Sequence, residues 1–74
     1  MRKQFITLPL IDGIVMNNNG KCEPKEYGIP IENIVQIESV DNPSNGFVTK
    51  ILMKDMYVYY CKLSTRMIVE LINN

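Results

Sequence analysis

The 74-residue chain has no histidine and no tryptophan, only two cysteines and four glycines, and no net charge, eight Lys and Arg balancing eight Asp and Glu. Each shortage closes off some chemistry. Without histidine the commonest general acid–base and the commonest metal ligand are missing, and neither a Ser–His nor a Cys–His nucleophile pair can form. Cys22 and Cys61 are too far apart for a zinc half-site and too few for a disulfide scaffold. They are expected to be two reduced thiols. Asp12-Gly13, Asn19-Gly20 and Asn45-Gly46 lack the clustered glycines and the Lys-Ser/Thr of a phosphate cradle. Glu23, Glu26, Glu32 and Glu38 fall in loops or on a polar strand face, where carboxylates stay solvated rather than tuned for acid–base work. These absences predict no catalytic residues, no metal, no cofactor and no enzyme. Zero net charge also counts against a dedicated DNA-binding domain, which carries a basic excess.

No apolar run approaches the roughly 18 residues of a membrane span, so no membrane association is expected. The basic start Met-Arg-Lys-Gln runs into Pro9 and Asp12 and makes no signal-peptide core. With thiol cysteines, this predicts a cytoplasmic protein. The length predicts one small domain over residues 1–74; such a chain buries only about 60% of the surface its unfolded form exposes. Its hydrophobic fraction, 46%, is that of a folded protein rather than a disordered one.

What is present is organised around residues 47–72, FVTKILMKDMYVYYCKLSTRMIVELI. Its first half reads as a hairpin turning at Lys54-Asp55. A two-residue loop there pairs Met53 with Met56, Ile51 with Val58 and Thr49 with Tyr60. Because side chains alternate faces, Phe47, Thr49, Ile51 and Met53 then share a face with Met56, Val58 and Tyr60. Val48, Lys50, Leu52, Tyr57, Tyr59 and Cys61 take the other. Lys-Asp lacks the Gly that two-residue hairpin loops favour, and a slip of one residue would swap one strand's faces. At Leu63-Ser64 the hydrophobic period changes from 2 to 3.6. Ser64 is a helix N-cap, Leu63 and Ile68 have the spacing of a hydrophobic staple, and Met67, Ile68, Leu71 and Ile72 line one face. This helix is too short to persist alone and must rest on the sheet.

Upstream, residues 4–11 read as a first strand with Ile6, Leu8 and Leu10 on one face; Pro9 marks it as an edge strand or as bulged. Asp12-Gly13 reads as a hairpin turn, with Ile14, Val15 and Met16 beginning the return strand. Residues 17–28 read as a flexible insertion loop. Pro30 opens a single helical turn over Ile31, Glu32 and Asn33. Residues 34–40 form a strand, with Val35 and Ile37 facing one way and Gln36 and Glu38 the other; residues 41–46 are turn. The expected fold is mainly β (α+β): a four- to five-stranded antiparallel sheet or small open barrel with one C-terminal helix.

Three segments, FITLPLIDG (5–13), IPIENIVQIE (29–38) and TKILMKDMYVYYCKLSTRMIVELIN (49–73), resemble small bacterial and phage proteins of the flagellar FlbD type. The second half is also similar to the later part of LytTR DNA-binding domains. The FlbD-like pattern covers most of the chain apart from residues 17–28. The sequence departs from it in lacking Gly at Lys54-Asp55 and in carrying the Asn-rich insertion. The resemblance implies a strand–turn–strand layout closed by a helix, in a bacterial cell or a phage particle, and implies no catalytic residue.

One short helix covers one side of a sheet, yet both faces of the central hairpin carry large apolar groups. The first functional reading is therefore a small accessory or adaptor protein that self-associates or docks on a larger protein through Val48, Lys50, Leu52, Tyr57 and Tyr59. A second is a nucleic-acid-binding module, with Tyr57 and Tyr59 as a stacking platform and Lys50 as a phosphate contact, or with loops entering a groove in LytTR fashion. The lack of net charge weighs against it. A third is a small-molecule pocket beneath the helix. The cysteine expectation has a direct test. Alkylation without reductant should label both Cys22 and Cys61 by mass spectrometry, and an unlabelled pair in non-oxidised material would reverse it.

Overall fold

The computed structural model describes residues 4–14, 23–44 and 46–74. Five strands form, β1 (Phe5–Asp12), β2 (Lys25–Pro30), β3 (Ile34–Ser44), β4 (Phe47–Met53) and β5 (Val58–Cys61). A 3-10 turn, Ile31–Asn33, joins β2 to β3 as the Ile29-Pro30 step predicts, and helix α1 (Thr65–Asn73) follows β5. The strands make one open antiparallel sheet in the order β2-β1-β5-β4-β3.

The helix seats itself on one face as its sequence requires. The Ser64 hydroxyl accepts a hydrogen bond from Met67 N at 3.2 Å, satisfying a first-turn donor with no partner inside the helix. Ile68 is fully buried in a cluster with Ile6, Leu8, Leu10, Ile29, Ile51, Met53 and Cys61, and Leu63 and Ile72 pack against it. The buried stripe is narrower than expected: Met67 remains half exposed. Thr49, fully buried, donates from its hydroxyl to the Leu63 carbonyl at 2.7 Å. That bond ties the sheet centre to the helix entry while satisfying both polar groups.

Several expectations need correction. Asp12-Gly13 does not turn a hairpin. Gly13 and Ile14 have helical backbone, and Ile14 N donates to Asp12 Oδ1 at 2.8 Å. The Asp side chain caps a helical turn, an alternative use of the same residue pair. The return strand beside β1 is β2 instead, with Leu8 opposite Tyr27 and Ile6 opposite Ile29. Residues 25–28, expected in the insertion loop, are therefore strand. Val15 and Met16, and residues 17–22 of that loop, lie outside the described residues.

Nor is β1 an edge, since β5 pairs with it from Leu10 to Asp12. Ile31 N donates to Gln4 O at 2.9 Å, so even-numbered residues of β1 aim their backbone groups at β2 and odd ones at β5. The N–H that Pro9 lacks would point toward β5, one step beyond the paired stretch. On β3, Val35 and Gln36 together oppose Leu52. The extra residue, a bulge, turns Val35 out to solvent and aligns Ile34 with Ile37 toward the core. The strand also continues past Val40 to Ser44, with a register shift between Ser39 and Ser44.

The β4–β5 register is displaced by one residue from the expected one. Ile51 lies opposite Tyr59, Thr49 opposite Cys61 and Leu52 opposite Val58. Met56 N donates to Met53 O at 3.0 Å and Met53 N to Tyr57 O at 2.9 Å, so the loop has three residues, not two. Such loops end in a left-handed residue; here it is Met56, at φ +70°. Asp55 Oδ1 accepts from Tyr57 N at 3.0 Å and steadies the exit. A left-handed non-glycine costs about 1–2 kcal/mol, and Met56, 80% exposed, recovers little by packing. Met56→Gly should therefore stabilise the fold by about 0.5–1 kcal/mol after glycine's own entropy cost. Urea unfolding measures it, and a destabilised variant would contradict this turn assignment.

Candidate interaction face

The register decides which side chains share a surface. Opposite the helix, Lys50 and Tyr60 pair across β4 and β5, Tyr60 and Ile11 across β5 and β1, and Glu38 and Lys50 across β3 and β4. A second transverse row runs Val58–Leu52–Gln36. Val48 extends the face along β4 by strand alternation. Ile11 is buried; Val48, Leu52, Val58 and Tyr60 are half-buried. One ion pair crosses these rows, Lys50 Nζ to Glu38 Oε1 at 3.7 Å, and Gln36 Nε2 donates to Glu38 Oε2 at 3.3 Å. Gly13 approaches the face so closely that a Cβ there would sit 2.9 Å from the Val58 carbonyl oxygen. Any larger residue at that position would push the chain off the sheet.

Of the five residues singled out from sequence, Val48, Lys50 and Leu52 lie on this face, opposite helix α1. Tyr59 does not, and Tyr57, just before β5, reaches only the end of this face. Tyr59 pairs with Ile51, lies on the helix-covered side and packs against the core, and Tyr57 stacks on it with ring centroids 5.2 Å apart. Tyr27 approaches Tyr59 at the same separation, tilted by 48°. Cys61, expected beside these tyrosines, is fully buried among the core residues as a free thiol, and burial pushes its pKa up. Val58 and Tyr60 take the tyrosines' places, and sequence reasoning assigned them to the opposite face. The signal that could have found them is the missing glycine at Lys54-Asp55, which argues against a two-residue loop.

At one end of this face lies an open concavity of about 400 Å³, bordered by Asp12, Lys50, Asp55, Tyr57 and Tyr60. It is not the pocket beneath the helix that the sequence raised. Among the described residues no group of three His, Cys, Asp or Glu is arranged to hold a metal, and no helix is long and apolar enough to cross a membrane.

With this geometry in hand, the chain can be set beside known proteins. Comparison with family models, curated proteins and solved structures gives no match.

Among the described residues, the titratable group whose pKa shift is large is Tyr57. Its hydroxyl donates to Asp12 Oδ2, the carboxylate that also accepts from Ile14 N. This hydrogen bond, reinforced by the negative charge of Asp12, pushes the phenol up to about 12 from an ordinary value of 10.0. A pKa raised on folding means that the folded state holds the proton more tightly. The Tyr57–Asp12 contact is thus fully stabilising below pH 10 and is lost as pH rises through about 12. Asp12→Asn should return Tyr57 toward the ordinary phenol range. Phenolate absorbance read against pH would show one tyrosine titrating earlier, and identical curves would show that the bond does not form in solution.

Proposed function

We propose that this chain is a non-enzymatic interaction module, a small accessory or adaptor protein that acts by contact with a second copy or with a larger protein. One observation carries the reading. Helix α1 covers one face of the sheet, and the other face presents Val48, Leu52, Val58 and Tyr60 with one ion pair among them. Apolar groups in a contiguous row, with a tyrosine whose hydroxyl can remain hydrated, suit a protein interface. The FlbD-like resemblance of residues 5–13, 29–38 and 49–73 supports a bacterial or phage setting, and a cytoplasmic or virion location goes with it. Nucleic-acid binding has less behind it: Tyr59 lies on the sheet face opposite Lys50 and already contacts Tyr27 and Tyr57.

Sedimentation equilibrium tests the reading. The wild-type chain should run heavier than its 8.5 kDa mass, and Leu52→Lys/Tyr60→Lys should weaken association about tenfold or more, as expected when central apolar contacts are replaced by charge. An unchanged mass distribution would overturn the proposal. So would a double variant that unfolds, because the face would then be ordinary core. In parallel, binding to random DNA or RNA that collapses with added salt would move the assignment to the nucleic-acid class.

A further inference from the structure

The two edges of the sheet are not equivalent. Because Met53 N donates to Tyr57 O, odd-numbered residues of β4 aim their backbone groups at β5 and even ones at β3. Gln36 and Glu38, opposite Leu52 and Lys50, therefore use their backbone groups inside the sheet. Ile37 and Ser39 aim theirs outward, where β3 has no neighbour among the described residues. On the other edge, the same reasoning from Ile31 N and Gln4 O points Glu26, Gly28 and Pro30 outward. Proline has no N–H to offer, so that edge is blunted. Edge strands are also guarded by charge; of the two charges on β3, Glu38 is already paired with Lys50 and Asp41 lies beyond Val40, in the irregular end of the strand.

We propose that β3 pairs edge to edge with β3 of a second copy of this chain, antiparallel about a two-fold axis, with Ile37 opposite Ile37. The inference stands apart from the face opposite helix α1, since it uses backbone groups at a different surface. Two-fold symmetry requires antiparallel pairing of the strand with itself. The bulge at Val35 and the irregular stretch ending in Pro43 and Ser44 confine regular pairing to about residues 36–40. Outward-facing residues must meet outward-facing residues, which leaves three registers. Pairing Ile37 with Ser39 places Glu38 against Glu38, a like-charge contact that destabilises. Pairing Ser39 with Ser39 sets Glu38 against the apolar Val40. Pairing Ile37 with Ile37 sets Gln36 of each copy against Glu38 of the other, so an amide donor meets a carboxylate twice. It also covers the outer flank of Ile37, which is only half-buried against the core. A chain with no net charge adds no long-range repulsion between copies.

The register makes the test a matter of charge at one exposed position. Gln36→Glu should weaken association about five- to tenfold, since two like-charge contacts form, and Gln36→Lys should strengthen it by a similar factor. Gln4→Glu, which adds the same charge at an exposed site away from β3, should change nothing. Sedimentation equilibrium with circular dichroism as a fold check reads all three. Opposite effects of Glu and Lys at position 36 support the pairing. Equal or absent effects, or a wild type and Gln36→Lys that both remain monomeric at the highest soluble concentration, overturn it. Leu52→Lys/Tyr60→Lys separates the two surfaces: if that variant lowers the mass while position 36 is silent, the face is used and the edge is not. If position 36 alone matters, the edge stands and the face reading fails.

Discussion

The left-handed backbone at Met56 governs which side of the sheet every residue of β5 occupies. With three residues in the loop rather than two, Tyr59 and Cys61 come opposite Ile51 and Thr49, so the thiol and one tyrosine join the helix side. Cys61 then completes the floor on which Ile68 rests, and the Leu63 carbonyl comes within reach of the Thr49 hydroxyl. A shorter loop would send Val58 and Tyr60 under the helix and leave Cys61 in solvent. The unfavourable conformation of one exposed side chain is thus offset by a core that fits. A strained loop residue persists where the surrounding packing over-determines it.

The sequence was most legible where a period held over a long stretch. Ile6, Leu8 and Leu10 on β1, the Ser64 cap and the Leu63–Ile68 staple all follow from residue type and spacing. It was least legible where a single residue changes the phase. The bulge at Val35 leaves no mark in the pattern IVQIESV, because Val35 and Ile37 alternate as cleanly as in a regular strand. β2 was hidden differently: Pro24 and Gly28 read as loop and Pro30 as the start of a helical turn, while only Tyr27 and Ile29 carry the alternation that packs on Leu8 and Ile6. The candidate site inherits these errors. Val48, Lys50 and Leu52 were placed together correctly because β4 needs no turn to fix its phase. Tyr59 was misplaced because its phase depends on the loop.

Proline placement follows the same accounting of backbone donors. Pro9 lies inside the sheet, yet the N–H it lacks would point past the paired part of β5. Pro30 turns its missing donor to the free side of β2. Pro43 falls in the irregular end of β3. All three occupy positions where a ladder bond is not required, and Pro24 precedes β2, which explains how a 74-residue chain carries four prolines through a mostly β fold.

Among the described residues a nine-residue helix covers one sheet face, and the opposite face and the β3 edge contribute differently to association. Burial of an apolar face is non-directional: it adds affinity in proportion to area and tolerates many arrangements. Backbone pairing along an edge adds less area but fixes direction and register, because hydrogen bonds and alternating side chains must match together. Antiparallel pairing of β3 about an axis perpendicular to the sheet keeps like faces on like sides, since directly opposite residues share a face. Both helices would then lie on one side and both rows of Val48, Leu52, Val58 and Tyr60 on the other. The edge would in this way convert two narrow apolar faces into one continuous surface, closer in extent to what a stable protein interface buries. A partner that reads this surface would bind the paired chains in preference to the single one.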